Sequence, residues 1–423
     1  LIRRILFTFT TRLGSALLNF GIVWLTARWL GATGRGQVSL FVTDTSALLL
    51  FIGLVGGSSL MYLVPRRNLW HLLAPAYCWA AAVCLAGTAA VWLWRDTGPA
   101  YAAFLLANTL LQAFGSINQL LLLGRRHERL FNALTLVQGL LLGGGLLVGL
   151  FGLHWREPAA YYAASVLMFG LIWLLTWPAL LRQADRPGGA RRRWRATARE
   201  LARHSRGAHF SNIVAFANYR LSYYLIEDWS GTAAVGVLSV GVALAEAIWL
   251  IPRSISQVQY VDIIHRADGR AAAQGTARAL RLTLLLTTLA VAVLTLLPAA
   301  LLQAVFGPEF GGAQRIIVLL APGVVAYSGA MQLSAYFAGL ARYRVNNLAT
   351  LLGLGVTVAA CALLIPRFGP AGAALATSLC YLASTLWLLR AFRRASGMSL
   401  LQALLPQRSD VAGLRLPGRN KGQ

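Results

Sequence analysis

The chain has 423 residues, of which 57% are hydrophobic and only 12% charged, with a mean hydropathy of +0.62. A soluble domain carries about 25% charged residues, so composition excludes disorder, a disulfide scaffold and an ordinary cytosolic enzyme, and leaves an integral membrane protein. Lys+Arg outnumber Asp+Glu by 38 to 13. In a soluble chain that balance would suggest nucleic acid, but here the basic residues sit between apolar stretches, so they read as topology and imply no nucleic-acid partner.

Apolar runs of spanning length recur from end to end. The predicted spans are 5–29, 38–64, 70–94, 100–123, 130–153, 159–181, 210–228, 233–258, 282–305, 315–340, 345–365 and 371–392. Each should be a helix, because hydrocarbon offers no partner to an unsatisfied backbone group. The N-terminal segment, with Arg3 and Arg4 ahead of it, reads as the first span rather than as a cleaved leader. The shortest and most polar span is 210–228, with Asn212, Asn218, Tyr219, Arg220 and Ser222.

Twelve spans place both ends of the chain on one side. That side then collects 29 basic residues, and the other only Arg35, Arg95, Arg156 and Arg367. By the positive-inside rule the termini are cytoplasmic. The external loops, about 30–37, 95–99, 154–158, 228–232, 306–314 and 366–371, leave no room for an external catalytic domain. The cysteines at 78, 84, 361 and 380 lie within apolar segments and read as small packing residues. Neither they nor the scattered histidines at 71, 127, 154, 204, 209 and 265 suggest a metal site, and no cofactor is expected.

The expected fold class is thus an all-α polytopic membrane protein of about 12 transmembrane helices in two six-helix lobes. The lobes are 1–181 and 210–392, joined by a basic cytoplasmic linker at 182–209 and followed by a cytoplasmic tail at 393–423. In the linker, Trp194 and Leu201 share a helical face ringed by arginine; this fits an interfacial helix on anionic lipid or a solvated topogenic loop. A short amphipathic piece at 398–405 precedes a polar segment expected to be disordered from Pro406. GATGRGQVSL at 31–40 and GTAAVGVLSV at 231–240 share Gly31/Gly231, Gly36/Gly236 and Ser39/Ser239 at an offset of 200. Two halves in the same orientation imply a parallel pseudo-two-fold repeat, with substrate bound between the halves.

Four segments resemble a known family: ARWLGATGRGQVSLF (27–41), IEDWSGTAAVGVLSVGVALAEAIWLIPRSISQV (226–258), FGPEFGGAQRIIVLLAPGVV (306–325) and IPRFGPAGAALATSLCYL (365–382), with LLPQRSDVAGL (404–414) in the tail. They look like Wzx-type polysaccharide flippases of the multidrug/oligosaccharidyl-lipid/polysaccharide exporter superfamily. The resemblance implies a MATE-like fold and a bacterial inner-membrane location. It also implies a polyprenyl-pyrophosphate-linked oligosaccharide as cargo, moved to the outer leaflet for O-antigen, capsule or exopolysaccharide. Membrane lipids, a polymerase and export machinery would be its partners. Lipid II flippases of the superfamily usually have fourteen spans, so a count of twelve points away from that branch.

Charged groups within spans cost about 2.5–3.5 kcal/mol each to insert and normally face a cavity. Arg12 and Asn19 lie on one polar stripe of the first span; Glu246, Trp249, Arg253 and Gln257 form another in the eighth; Arg220 and Tyr224 share a face of the seventh. Arg12, Arg220 and Arg253 are candidates to grip a pyrophosphate, because guanidinium stays charged and binds phosphate oxygens in bidentate fashion. Asn19, Tyr224 and Trp249 are candidates to meet sugar. The bland alternatives are snorkelling of Arg12 and Arg253, a structural pair of Arg220 with Glu246, and plain interhelical hydrogen bonding by the amides and tyrosines. Asp44 and Glu246 serve either ion coupling or charge balance. The competing functions are a cation-coupled multidrug antiporter of the same fold and a membrane-bound polysaccharide polymerase or ligase.

Overall fold

The computed structural model describes residues 2–183, 185, 194–265 and 269–405, with side chains throughout except at 2–13, 194–195, 207–208, 265 and 400. The tail from Pro406 and the linker residues 186–193 lie outside the described residues. Among those described there is no strand. The helices are α1 (Ile2–Gly56), α2 (Ser58–Leu63), α3 (Leu69–Arg95), α4 (Pro99–Gly124), α5 (Glu128–Leu147), α6 (Pro158–Arg182), α7 (Trp194–Ser230), α8 (Thr232–Ala247), α9 (Leu250–His265), α10 (Gly269–Thr295), α11 (Ala299–Phe306), α12 (Ala313–Gly339), α13 (Tyr343–Phe368), α14 (Pro370–Ser396) and α15 (Leu400–Leu404). Local chemistry sets several of their ends. Asn68 caps α3 by accepting from Trp70 N–H, and proline opens α4, α6 and α14, where its missing N–H costs nothing.

Among the described residues nine helices are long and apolar enough to cross a membrane, or ten if α8 and α9, bent by 44°, form one broken crossing. The difference from twelve has two physical sources. The first and second predicted spans belong to one 55-residue helix, α1, which departs from helical geometry at Gly31 (φ 68°, ψ −176°). The predicted seventh span lies in α7, which is too polar to qualify on hydropathy. The structure also corrects the loops. Residues 30–37 form no loop but a break at one glycine, and only Gly231 (φ 81°) separates α7 from α8. Both breaks use a backbone conformation that only glycine adopts at low cost. The ninth span starts earlier than expected, at Gly269, with Arg270, Arg278 and Arg281 in its first turns.

The chain forms two compact units. The first comprises Leu1–Phe216, Gly231–Ser239 and Val305–Glu309, and the second Ala217–Ser230, Val240–Ala304 and Phe310–Gln423.

In the first unit, α4 packs against α3 and α6, and α1 against α3 and α5. Its core includes Leu60, Leu69, Leu72, Ile117, Leu121 and Leu180. Leu201 joins that core and is fully buried, so it does not face lipid as an interfacial helix would require. The basic segment from 194 is instead the first part of α7, tied down by Glu200 to Arg67 (3.1 Å) and Ser205 to Ser59 (2.9 Å). The two repeat motifs also meet in this unit. Gly36 lies against Thr232, and Gly236 against Ala32, so closely that neither has room for a side chain. This is a small-xxx-small crossing, Ala32/Gly36 on Thr232/Gly236.

In the second unit α12 is central, packing on α9, α10 and α14, while α13 packs on α14. Leu333, Phe337 and Phe392 are its buried centre. Large apolar side chains point outward in both units, among them Leu93 (80% exposed) and Leu296 (81%), as helices bathed in hydrocarbon require.

Candidate functional site

Pro252 lies in the first turn of α9 and has no N–H to give to Ile248, so the helix cannot run on unbroken from α8. At the break, Trp249 N–H donates to the Glu246 carbonyl (3.0 Å) and Arg253 N–H to that of Trp249 (3.0 Å). The buried Pro252 carbonyl accepts from Gln332 Nε2 of α12 at 2.9 Å. This break carries Glu246, Trp249 and Arg253 together within the second unit.

Around the break four aromatic rings form a box. Tyr327 and Tyr381 are 4.7 Å apart between centroids, Trp249 is 5.1 Å from Tyr327 and 5.5 Å from Tyr381, and Tyr219 of α7 lies 6.2–6.4 Å from all three. The Tyr219 hydroxyl donates to Tyr327 at 2.5 Å. Two arginines flank the box: Arg253 lies over Trp249 at 5.9 Å, and Arg220 over Tyr223 at 5.0 Å. The Glu246 carboxylate sits in the field of both guanidinium groups. Two cations to one anion, set beside aromatic faces, make a locus that attracts an anion and offers ring surfaces.

The predicted residues fare unequally. Arg220, Glu246, Trp249 and Arg253 come together. Trp249, however, is 1% exposed and donates to the Val324 carbonyl at 3.4 Å, so it is the floor of the box and presents little face to a ligand. Tyr224 is half-buried one turn beyond Arg220. Asn19, in the first unit, is exposed, and the Arg12 side chain lies outside those described. Tyr327 and Tyr381 join the site without having been candidates in the sequence: Tyr327 has apolar neighbours at helical spacing in α12, whereas Tyr381 shares a helical row of α14 with Thr377 and Thr385, a signal that could have found it.

Asp44, also of the first unit, is 1% exposed and already engaged. It pairs with Arg95 (2.5 Å) and accepts from the Tyr101 hydroxyl (2.5 Å). Arg95, assigned from sequence to an external loop, ends α3 and turns back to this carboxylate. Arg35, likewise expected in a loop, donates from α1 to Ser239 and Thr26, both at 3.0 Å. Asn108 of α4 is engaged within the same unit: it accepts from Ser165 at 2.7 Å and donates to Thr45 at 3.3 Å. One capping contact was not foreseen. Glu309 accepts from the Ala32 N–H at 2.5 Å, closing the start of the helix that resumes after Gly31.

At the arginine-rich end of the first unit, Asp185 accepts from Leu69 N–H (2.8 Å) and Arg125 (2.6 Å). Partial burial pushes its carboxyl upward, but those two donors outweigh it and hold the group below its ordinary 3.8. No group of three or more His, Cys, Asp and Glu that could hold a metal occurs among the described residues.

No protein-family model and no curated relative matches the sequence. Solved structures do. The chain is similar to the lipid II flippase MurJ in an inward closed conformation, at TM-score 0.76 and 12% identity over 93% of this chain and 90% of that one. It is similar to an inward-facing multidrug resistance MATE family transporter of the MOP superfamily, at TM-score 0.68 and 12% identity over 91% and 96%. A third is a mutant of the Vibrio cholerae MATE transporter VcmN, at TM-score 0.58 and 13% identity over 94% and 96%. Across nearly its whole length, then, the chain has the all-helical fold of MurJ and the MATE transporters.

Proposed function

We propose that the chain is a flippase that carries a polyprenyl-pyrophosphate-linked oligosaccharide from the cytoplasmic to the outer leaflet of a bacterial inner membrane, by alternating access. The observation that carries this reading is the surplus of guanidinium in the second unit: Arg220 and Arg253 against the single carboxylate of Glu246, beside Tyr219, Tyr327 and Tyr381. An anionic head group would offset the excess charge as it leaves water, and tyrosine hydroxyls would meet sugar. The fold shared with a lipid II flippase supports lipid-linked cargo. With the cell interior negative, outward movement of an anion is favoured by about 2.3 kcal/mol per charge per 100 mV, so the cycle needs no nucleotide. The antiporter reading requires acids available to a cation or proton. Asp44 is already held by Arg95 and Tyr101, which weighs against it.

The test is mass spectrometry of lipid-linked intermediates after depletion of this protein in its own host. The expected result is build-up of one complete polyprenyl-pyrophosphate oligosaccharide and loss of surface polymer. Build-up of lipid II would redirect the assignment to peptidoglycan precursors. Unchanged intermediates with intact polymer, together with new drug sensitivity, would replace the flippase with the antiporter.

A further inference from the structure

At the arginine-rich end of the second unit, α13 begins and α14 ends beside each other. Trp387 of α14 donates its indole N–H to the Val345 carbonyl of α13 at 3.2 Å, pinning the two together. Next to this clamp is a cavity of about 380 Å³. Its polar lining is Arg342, Arg390 and Arg394, its apolar lining includes Phe337, Val345 and Trp387, and it has no acidic side chain.

Arg390 and Arg394 are one helical turn apart, and Arg342 faces them from the N-cap of α13. Like charges at this spacing repel. In the first unit, by contrast, arginines meet acids of the chain itself: Arg67 meets Glu200 and Arg125 meets Asp185. Here none of the three forms an ion pair among the described residues. Exposed Tyr343 (55%), Leu348 (47%) and Leu386 (55%) lie nearby in sequence on the same two helices, as lipid-facing positions should. Tryptophan is itself a residue of the membrane interface.

We propose that this cavity binds the phosphodiester head group of an anionic glycerophospholipid of the cytoplasmic leaflet. The three guanidiniums would hold the phosphate oxygens, and Trp387 and Val345 would meet the glycerol and upper acyl region. Basic pockets between helices on the cytoplasmic side suit such head groups, and each arginine near an anionic surface contributes about fivefold in affinity. The site is independent of the transported cargo.

The experiment uses the full chain in nanodiscs of phosphatidylcholine doped with phosphatidylglycerol, released into native mass spectrometry so that retained lipids are counted. The wild type should keep one phosphatidylglycerol that R342Q/R390Q/R394Q loses, with affinity falling roughly a hundredfold. R344Q/R393Q, which neutralises neighbouring arginines outside the cavity, should keep it. Equal retention by the triple variant, or equal retention of phosphatidylcholine by the wild type, would overturn the proposal. Inorganic phosphate is added as a competitor; displacement of the lipid by millimolar phosphate would make this a site for a soluble anion and overturn the lipid assignment. If the triple variant does not fold, the lipid preference and phosphate competition of the wild type decide between the same outcomes.

Discussion

The crossing of the two repeat motifs can be broken by one methyl group. A Cβ on Gly36 would run into the Thr232 carbonyl oxygen and lie 2.9 Å from its carbon and 3.0 Å from Thr232 Cγ2, and one on Gly236 would run into the Ala32 carbonyl oxygen and lie 2.9 Å from its carbon and 3.1 Å from the Gly36 nitrogen. A carbon rests about 3.5–4.0 Å from the atoms it packs against, so Gly36→Ala must part these backbones by about 1 Å or more, which forfeits about half or more of each dispersion contact across the crossing. Since the obstruction is mostly backbone, no rotamer change relieves it. The expected cost is that of overpacking, about 1–3 kcal/mol. Gly236→Ala should cost a similar amount, and the double variant less than the sum, because a crossing parted once accommodates the second methyl. Gly21→Ala and Gly53→Ala are controls on the same helix, where a Cβ meets nothing within 4 Å; these should be neutral or slightly stabilising, since alanine is the better helix former. Thermal unfolding of the purified protein in one detergent measures all five. Wild-type melting of both Gly36→Ala and Gly236→Ala would refute the close crossing, as would strict additivity in the double variant.

Other perturbations test the charges. Arg220→Ala should abolish surface-polymer export while the protein remains in the membrane at normal abundance, and Arg220→Lys should restore it only in part; full export by the alanine variant, scored by polymer immunoblot, would remove Arg220 from the site. Asp44→Asn takes the carboxylate from the nearly buried Arg95 and should destabilise by about 3–5 kcal/mol, with partial recovery in Asp44→Asn/Arg95→Gln; equal melting of the two variants would mean that the pair is not coupled. Asp185 has a carboxyl held below 3.8, so its stabilisation is fully present above that pH and is lost as pH falls further through the lower folded value. The melting difference between wild type and Asp185→Asn should therefore be flat at neutral pH and shrink only below about pH 4; a difference already shrinking near pH 6 would contradict the contact. Glu309→Gln removes the charge from the cap on Ala32 and should lower stability by about 0.5–2 kcal/mol, measured by thermal unfolding against Glu309→Asp.

The helical membrane fold was legible from composition and hydropathy alone, because a bilayer admits few backbone solutions. The charges of Glu246 and Arg253 stood out too, since charge within an apolar run is visible whatever surrounds it, but the helix break that lies between them did not. The repeat at an offset of 200 was visible as paired glycines. That those glycines lie against each other, with Gly36 beside Thr232 and Gly236 beside Ala32, was not. Nor was it legible that Trp249 is a buried floor, that Leu201 sits in a core, or that Asp44 belongs to Arg95. The physical reason is the solvent. Lipid tails are as apolar as leucine, so in a membrane protein hydrophobicity marks which segments enter the bilayer but not which of their faces meets protein. Contacts between helices rest on backbone proximity, a few hydrogen bonds and paired charges, and these are specified only when distant parts of the chain come together.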